Sequence, residues 1–228
     1  MSSPIIIKYW PILARGRGLF QMCAEAGVPF EHDTDMKGFG AALFGAESTN
    51  LAPPIIIDGD LTLSQSTATH QYLGKKFGLT SGIDSPGREA LALQYMSDMN
   101  DMHSELVQKA MAGRLATPPD VAALQEYITG TRYKAFLAAI NRAIAGPFFF
   151  GAEPSYVDYY ADGVVTMCHE KFLGPLVPKS GDTLETHAPK LMAIVSAIRA
   201  RPSAALLPKV NPVPPNLVVT PERVATWA

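Results

Sequence analysis

Residues 52–66 read Ala-Pro-Pro-Ile-Ile-Ile-Asp-Gly-Asp-Leu-Thr-Leu-Ser-Gln-Ser. Two short apolar runs flank an Asp-Gly step. That dipeptide reaches the φ > 0 turn geometry easily and is the strongest short-range signal for an antiparallel hairpin. Ser64 or Ser66 then offers a cap to a helix running to about Phe77. A hairpin that feeds directly into a helix commits this part of the chain to a sheet with helices packed on it.

The preceding residues agree. Pro4–Tyr9 holds three consecutive isoleucines, the run of a buried strand, and Pro11 ends it. Arg15–Ala26 is expected to be helical, with Leu19, Phe20 and Cys23 on one face and Gly27 as its stop. Pro29–Asp33 is a short second strand, and Met36–Ser48 a loop with a short helix. The order strand, helix, strand, helix, hairpin, helix describes an α/β layer of thioredoxin size.

From Thr80 to Gly87 the chain turns to Ser, Gly, Asp and Pro and reads as a linker. Only helical spacing follows. Leu91, Tyr95, Met99, Met102 and Leu106 form an apolar stripe of core type. Pro118-Pro119-Asp120 opens a helix to about Ala145. Ser155-Tyr156-Val157-Asp158 is a capping box with Asp in the Glu place, and Val157, Ala161, Val164, Val165 and Cys168 point inward from the helix behind it. Pro189 opens a helix to about Arg201, and a proline-rich tail closes the chain. The expected domains are residues 1–79, a linker at 80–86, and an all-helical domain at 87–228 with an extended tail.

A chain of 228 residues is comfortable for two such domains, and 47 % hydrophobic against 18 % charged residues builds a core and excludes a disordered chain. A net charge of -2 and scattered Lys and Arg exclude the basic footprint of a nucleic-acid binder or a membrane-surface protein. The start lacks the basic region of a secretory signal, and no apolar stretch reaches spanning length. Cys23 and Cys168 lie in apolar helical patterns, as buried thiols of a reducing, cytoplasmic compartment do. His32, His70, His103, His169 and His187 show no ligand spacing, so no metal is expected.

Four local features narrow the family. Tyr9-Trp10 ends the opening strand and Arg15-Gly16-Arg17 begins the first helix; Pro53-Pro54 precedes the strand leading into Asp58-Gly59-Asp60; Leu61-Thr62-Leu63-Ser64-Gln65-Ser66 follows; and Gly151–Asp158 caps a late helix. In this order the set resembles the cytosolic glutathione transferases of the mu, pi, alpha and sigma type, over residues 4–207, with His169-Glu170 through Ala200-Arg201-Pro202 similar to the end of their helical domain. The resemblance implies a thioredoxin-like α/β N-terminal domain, an all-α C-terminal domain, a homodimer, and glutathione as co-substrate in detoxifying conjugation.

The resemblance also implies roles. Sulfur chemistry needs a thiolate, and a free thiol with a pKa of about 8.5 is only a few per cent ionised at pH 7. A tyrosine keeps its proton and donates a hydrogen bond to the sulfur; Tyr9 matches the catalytic tyrosine, though the Pro11–Ala14 spacer behind it is longer than in the pi-type pattern. Gln65 and Ser66 match the pair that holds the γ-glutamyl end, where a helix N-terminus favours a carboxylate. Asp101, with Asp98 as rival, resembles the acid that reaches the γ-glutamyl amine across the dimer. Pro54 matches the cis-proline, and the residue before it, which normally gives both N–H and C=O to the cysteinyl part, is here Pro53, with no N–H. Trp10, Arg17 and Lys37 are the remaining glutathione candidates; Lys37 and Phe39 are nearest the place of the family's loop lysine, and Arg17 has Asp33 or Asp35 as alternative partners. Ile12, Leu13, Met102 and Met111 are the candidates for an apolar second-substrate site, with core packing as the other reading of Met102. The same fold also serves glutathione-dependent isomerases and non-catalytic binding or structural proteins, so fold alone does not choose between them.

Overall fold

The structure is a computed structural model and describes residues 3–35, 48–115, 122–166 and 184–210. Strand β1 (Ile5–Lys8) alternates buried and half-buried residues, with Ile5 and Ile7 inward. It runs through a short 3-10 turn (Ala14–Gly16) into α1 (Arg17–Glu25) and back to β2 (Phe30–Asp33), which pairs with it in parallel. Gly27, at φ 65°, ends α1 as expected: Val28 N–H donates to Cys23 C=O and Gly27 N–H to Ala24 C=O, the paired bonds that close a helix through a left-handed residue. β3 (Ile55–Asp58) lies antiparallel to β1, and β4 (Leu61–Ser64) antiparallel to β3, giving the sheet order β2-β1-β3-β4. The hairpin is real but shifted by one residue from the sequence reading: Asp58 still pairs with Leu61, so Gly59 and Asp60 form the two-residue loop.

Helix α2 (Ser66–Lys76) follows, and the next helix, α3 (Pro86–Leu115), starts within a residue of the expected position. The segment between them is not a loose tether. Ile83 is buried, and a Cβ on Gly82 would stand 2.2 Å from the Phe150 carbonyl oxygen. Along α3 the buried stripe is Ala92, Met96, Met99, Met102 and Leu106; Leu91, expected inward, is exposed, because the helix is rotated so that Ala92 faces the core.

The single helix expected to end near Ala145 is two: α4 (Ala122–Thr129) and α5 (Thr131–Ala143), broken at Gly130, whose extended backbone (ψ 165°) interrupts the helical path. The proposed start at Pro118–Asp120 lies outside the described residues. The capping box at Ser155 is present: Asp158 accepts from the Ser155 N–H and hydroxyl and from Phe149 N–H, and α6 (Tyr156–Ala161) begins there, buried along its whole length. A π-helical turn (Asp162–Thr166) continues α6; Cys168 lies outside the described residues. Last come α7 (Leu184–His187), α8 (Pro189–Arg199) and a 3-10 turn (Pro202–Leu206).

Helix α1 is buried across Gly18–Cys23 because it is sandwiched between the sheet and α6. Buried Gln21 ties the two layers, donating to Ile198 C=O at 2.7 Å. Among the described residues no helix is long and apolar enough to cross a membrane.

Candidate active site

The strand register builds the site. Lys8 pairs with Ile55, and Ile55 with Ser64. One step further, Tyr9, Pro54 and Gln65 stand side by side at the same end of the sheet, and Tyr9 N–H donates to Asp33 C=O of β2. The Pro53–Pro54 peptide is cis, and Gln65 N–H donates to Ala52 C=O, so the turn into β3 and the exit from β4 are held together.

Gln65 has φ 74°, a conformation that a non-glycine residue adopts rarely and at a cost, as residues at binding sites often do. It aims the chain directly into α2. Ser66 is the first residue of that helix and is buried; Gln65 occupies the position before it and no side chain caps the end. Neither Ser64, which ends β4, nor Ser66 is therefore the cap expected from the sequence. The first N–H groups of α2 remain available to an anion, which a helix N-terminus favours.

Tyr9 is 3 % exposed, and its hydroxyl oxygen accepts from Arg15 N–H at 3.2 Å. Its ring leans on Gly16, where a Cβ would stand 3.0 Å from Tyr9 Cδ1. The longer spacer is thus folded back over the tyrosine: Ile12 N–H bonds Trp10 C=O at 2.6 Å, and Leu13 packs against the core. Trp10 is exposed, and His32 Nε2 lies 3.1 Å from its carbonyl oxygen and carries a proton there. Burial holds His32 below its ordinary pKa, against the pull of these carbonyls.

Arg17 pairs with neither Asp33 nor Asp35. Asp33 is taken by Lys8, while Arg17 Nε donates at 2.6 Å to Asp162, which also accepts from Arg199 Nε at 2.7 Å. Asp162 was missed because its partners are remote in sequence; its one local signal is its place a turn after the cap residue Asp158. Pro53 and Ile12 are half-buried. Met102 is buried in the core, which favours the packing reading of that residue. Asp101 is exposed on α3, and Asp98 lines a groove of about 450 Å³ with Thr131, Arg132, Ala135, Phe136 and Ala139 of α5. Lys37, Phe39 and the Met111 side chain lie outside the described residues. His103, half-buried on α3, is lowered to a pKa of about 4 by burial and by the charge of Arg15. Among the described residues no group of three or more His, Cys, Asp or Glu is placed to hold a metal ion.

Residues 100–205 match the family model "Glutathione S-transferase, C-terminal domain". A glutathione S-transferase of Tyrophagus putrescentiae is 27 % identical over 174 residues, 70 % of this chain and 73 % of that protein. The fold is similar to the Pi-class glutathione S-transferase of Onchocerca volvulus (TM-score 0.67, 16 % identity, 90 % of this chain and 91 % of that one). It is also similar to prostaglandin synthase D of Nilaparvata lugens (TM-score 0.69, 19 % identity, 93 % and 100 %). A third similar structure is a Pseudomonas fluorescens glutathione transferase family member with two glutathiones bound (TM-score 0.68, 20 % identity, 89 % and 91 %). Residues 100–205 thus match the C-terminal domain of the glutathione S-transferases, and the chain as a whole shares the fold of the solved structures above.

Proposed function

We propose that this protein is a glutathione transferase that conjugates the glutathione thiolate to small apolar electrophiles, in a detoxifying role in the cytoplasm. The observation that carries the reading is the row Tyr9, Pro54, Gln65 at one sheet end, beside the uncapped N-terminus of α2. In this reading the α2 N–H groups and the Ser66 hydroxyl take the γ-glutamyl carboxylate. The Pro53 carbonyl accepts from the cysteinyl N–H, and the hydrogen bond its missing N–H would make is lost, at about 0.5–1.5 kcal/mol. The Tyr9 hydroxyl then donates to the sulfur and favours its thiolate. Arg17 acts near the site only through a charge already shared with Asp162. Lys37 and Phe39 remain the candidates for the glycyl end, Trp10 a further glutathione contact, and Ile12, Leu13 and Met111 the candidates for the apolar substrate, Met102 being packed in the core. The sheet-bearing unit 1–79 and the helical unit from 87 keep the roles of binding glutathione and accepting the electrophile.

The homodimer is part of the same reading. Leu51 (70 % exposed), Leu91 and Leu93 place large apolar side chains on the surface, and the α3–α5 groove offers apolar Phe136 and Ala139; Asp101 would serve the partner's glutathione. The test is calorimetric titration with glutathione, then an aryl-halide conjugation assay. Saturable binding with thioether formation is expected. Turnover without consumption of glutathione would mark an isomerase, binding without turnover a carrier, and no binding would end the proposal.

A further inference from the structure

Asp162 gathers charges from distant parts of the chain. Its side chain is 1 % exposed and accepts from Arg17 at the start of α1 and from Arg199 at the end of α8. It opens the π turn that continues α6, a widened helical form that often marks functional positions. The next residue, Gly163, lies against the Ala14–Gly16 turn. A Cβ there would stand 3.0 Å from the Ala14 carbonyl oxygen, 3.5 Å from Gly18 N and 3.7 Å from the Arg15 carbonyl oxygen. The turn is itself constrained: Ala14 has φ 31°, and Gly16 rests on the Tyr9 ring. Its Arg15 N–H is the group that donates to the Tyr9 oxygen.

A donor into the tyrosine oxygen polarises its O–H and strengthens the bond that the O–H gives to the next acceptor. The Arg15 N–H keeps that aim only while the turn is pinned between the Tyr9 ring and Gly163. We propose that Asp162 and Gly163 of the helical half are positioning residues for the tyrosine: the two arginines fix Asp162, Asp162 fixes Gly163, and Gly163 holds the turn whose Arg15 N–H acts on the Tyr9 hydroxyl. This rests on the reading of Tyr9 as the group that activates glutathione. The charged and titratable groups around the clamp are Arg15 in the turn, Arg17 on α1, His32 on β2, His103 on α3, Asp162 and Arg199. Of these, Asp162 links Arg17, the residue that follows the turn, to Arg199 of the helical half.

The test is a double-mutant cycle on the full chain: parent, Gly163→Ala, Tyr9→Phe and the double variant. The thiolate absorbance of each glutathione complex is followed against pH, beside kcat and KM. Gly163→Ala should raise the pKa of bound thiol by about half to one unit and lower kcat at neutral pH about three- to tenfold, with KM for glutathione unchanged. In the Tyr9→Phe background it should add no further shift. Arg199→Gln, at a partly exposed position, removes one donor to Asp162 and should move the titration the same way; it carries the test if Gly163→Ala does not fold. No shift in the variant that folds, or an equal shift with and without the Tyr9 hydroxyl, overturns the inference. A Tyr9→Phe that leaves the titration of the parent unchanged overturns the reading of Tyr9 instead.

Discussion

Replacing His70 by Gln should remove an acid sensitivity that the fold builds in beside the uncapped N-terminus of α2. His70 lies on α2 one turn after Ser66 and is fully buried. Its Nδ1 is 2.7 Å from the Ser66 carbonyl oxygen and donates to it. Its Nε2 has no hydrogen-bond partner among the described residues; it faces Gly18, and the ring meets Tyr160 edge-on at 5.0 Å. The site admits the neutral ring alone, and burial lowers its pKa from 6.5 to about 4. Above pH 6.5 both folded and unfolded chains hold a neutral ring and the full stability is present. As the pH falls below 6.5 the unfolded chain takes a proton that the folded chain refuses, so stability falls by about 1.4 kcal/mol per unit until the folded ring also titrates near pH 4. The total is about 3 kcal/mol. His103 adds a term of the same sign. Asp158 runs the other way: burial raises it to about 6, so its contribution is lost as pH rises through that value. The raw stability curve of the parent therefore mixes opposing terms, whereas the difference between parent and His70→Gln isolates the histidine. Urea unfolding followed by fluorescence at pH 7.5, 6.5, 5.5 and 4.5 should show that difference shifting in favour of the variant by about 2.5 kcal/mol by pH 4.5. Parallel curves would refute the reasoning.

Tyr9→Phe keeps the ring that packs on Gly16 and removes the donor, so kcat at neutral pH should fall about 10²-fold, with the loss shrinking as pH approaches the free thiol's own pKa; a pH–rate profile identical to the parent's would reassign the donor. In the proposed reading Ser66 holds glutathione alike in ground and transition states, so Ser66→Ala should raise KM for glutathione while kcat holds, and steady-state kinetics that leave KM unchanged would remove Ser66 from the site. Asp158→Ala strips the partner from the Phe149 N–H and from the Ser155 N–H and hydroxyl, all buried, and should cost about 3 kcal/mol in chemical denaturation; a loss below 1 kcal/mol, on the order of one exposed hydrogen bond, would mean the cap is dispensable.

What could be read in the residues was what depends on near neighbours. The Asp-Gly hairpin, the Gly27 stop and the Ser155–Asp158 cap each follow from a few adjacent φ/ψ preferences and side-chain donors, and all are in the structure. The expectations that failed also have local causes. The hairpin loop moved by one residue because Asp-Gly-Asp allows either register until β3 pairs with β4. The break at Gly130 was hidden because the apolar periodicity runs on through α4 and α5. Leu91 was placed inward because a stripe of period 3.6 has neighbouring solutions, and only the helices packed against α3 choose among them.

The sequence by itself determined the order of strands and helices, because turn chemistry and periodicity are properties of short segments; Tyr9, Gln65 and Ser66 came from the family resemblance, and the strand register brings Tyr9 and Gln65 to one sheet end. The sequence did not determine that no side chain caps α2, that Arg15 turns its N–H to the tyrosine oxygen, or that Arg17 and Arg199 share Asp162. Arg17 and Asp162 are 145 residues apart, and Asp162 and Arg199 37 apart. A carboxylate with several arginines in reach finds its partners only when α1, α6 and α8 pack together and exclude water, and that exclusion is a property of the assembled interior rather than of any segment of the chain.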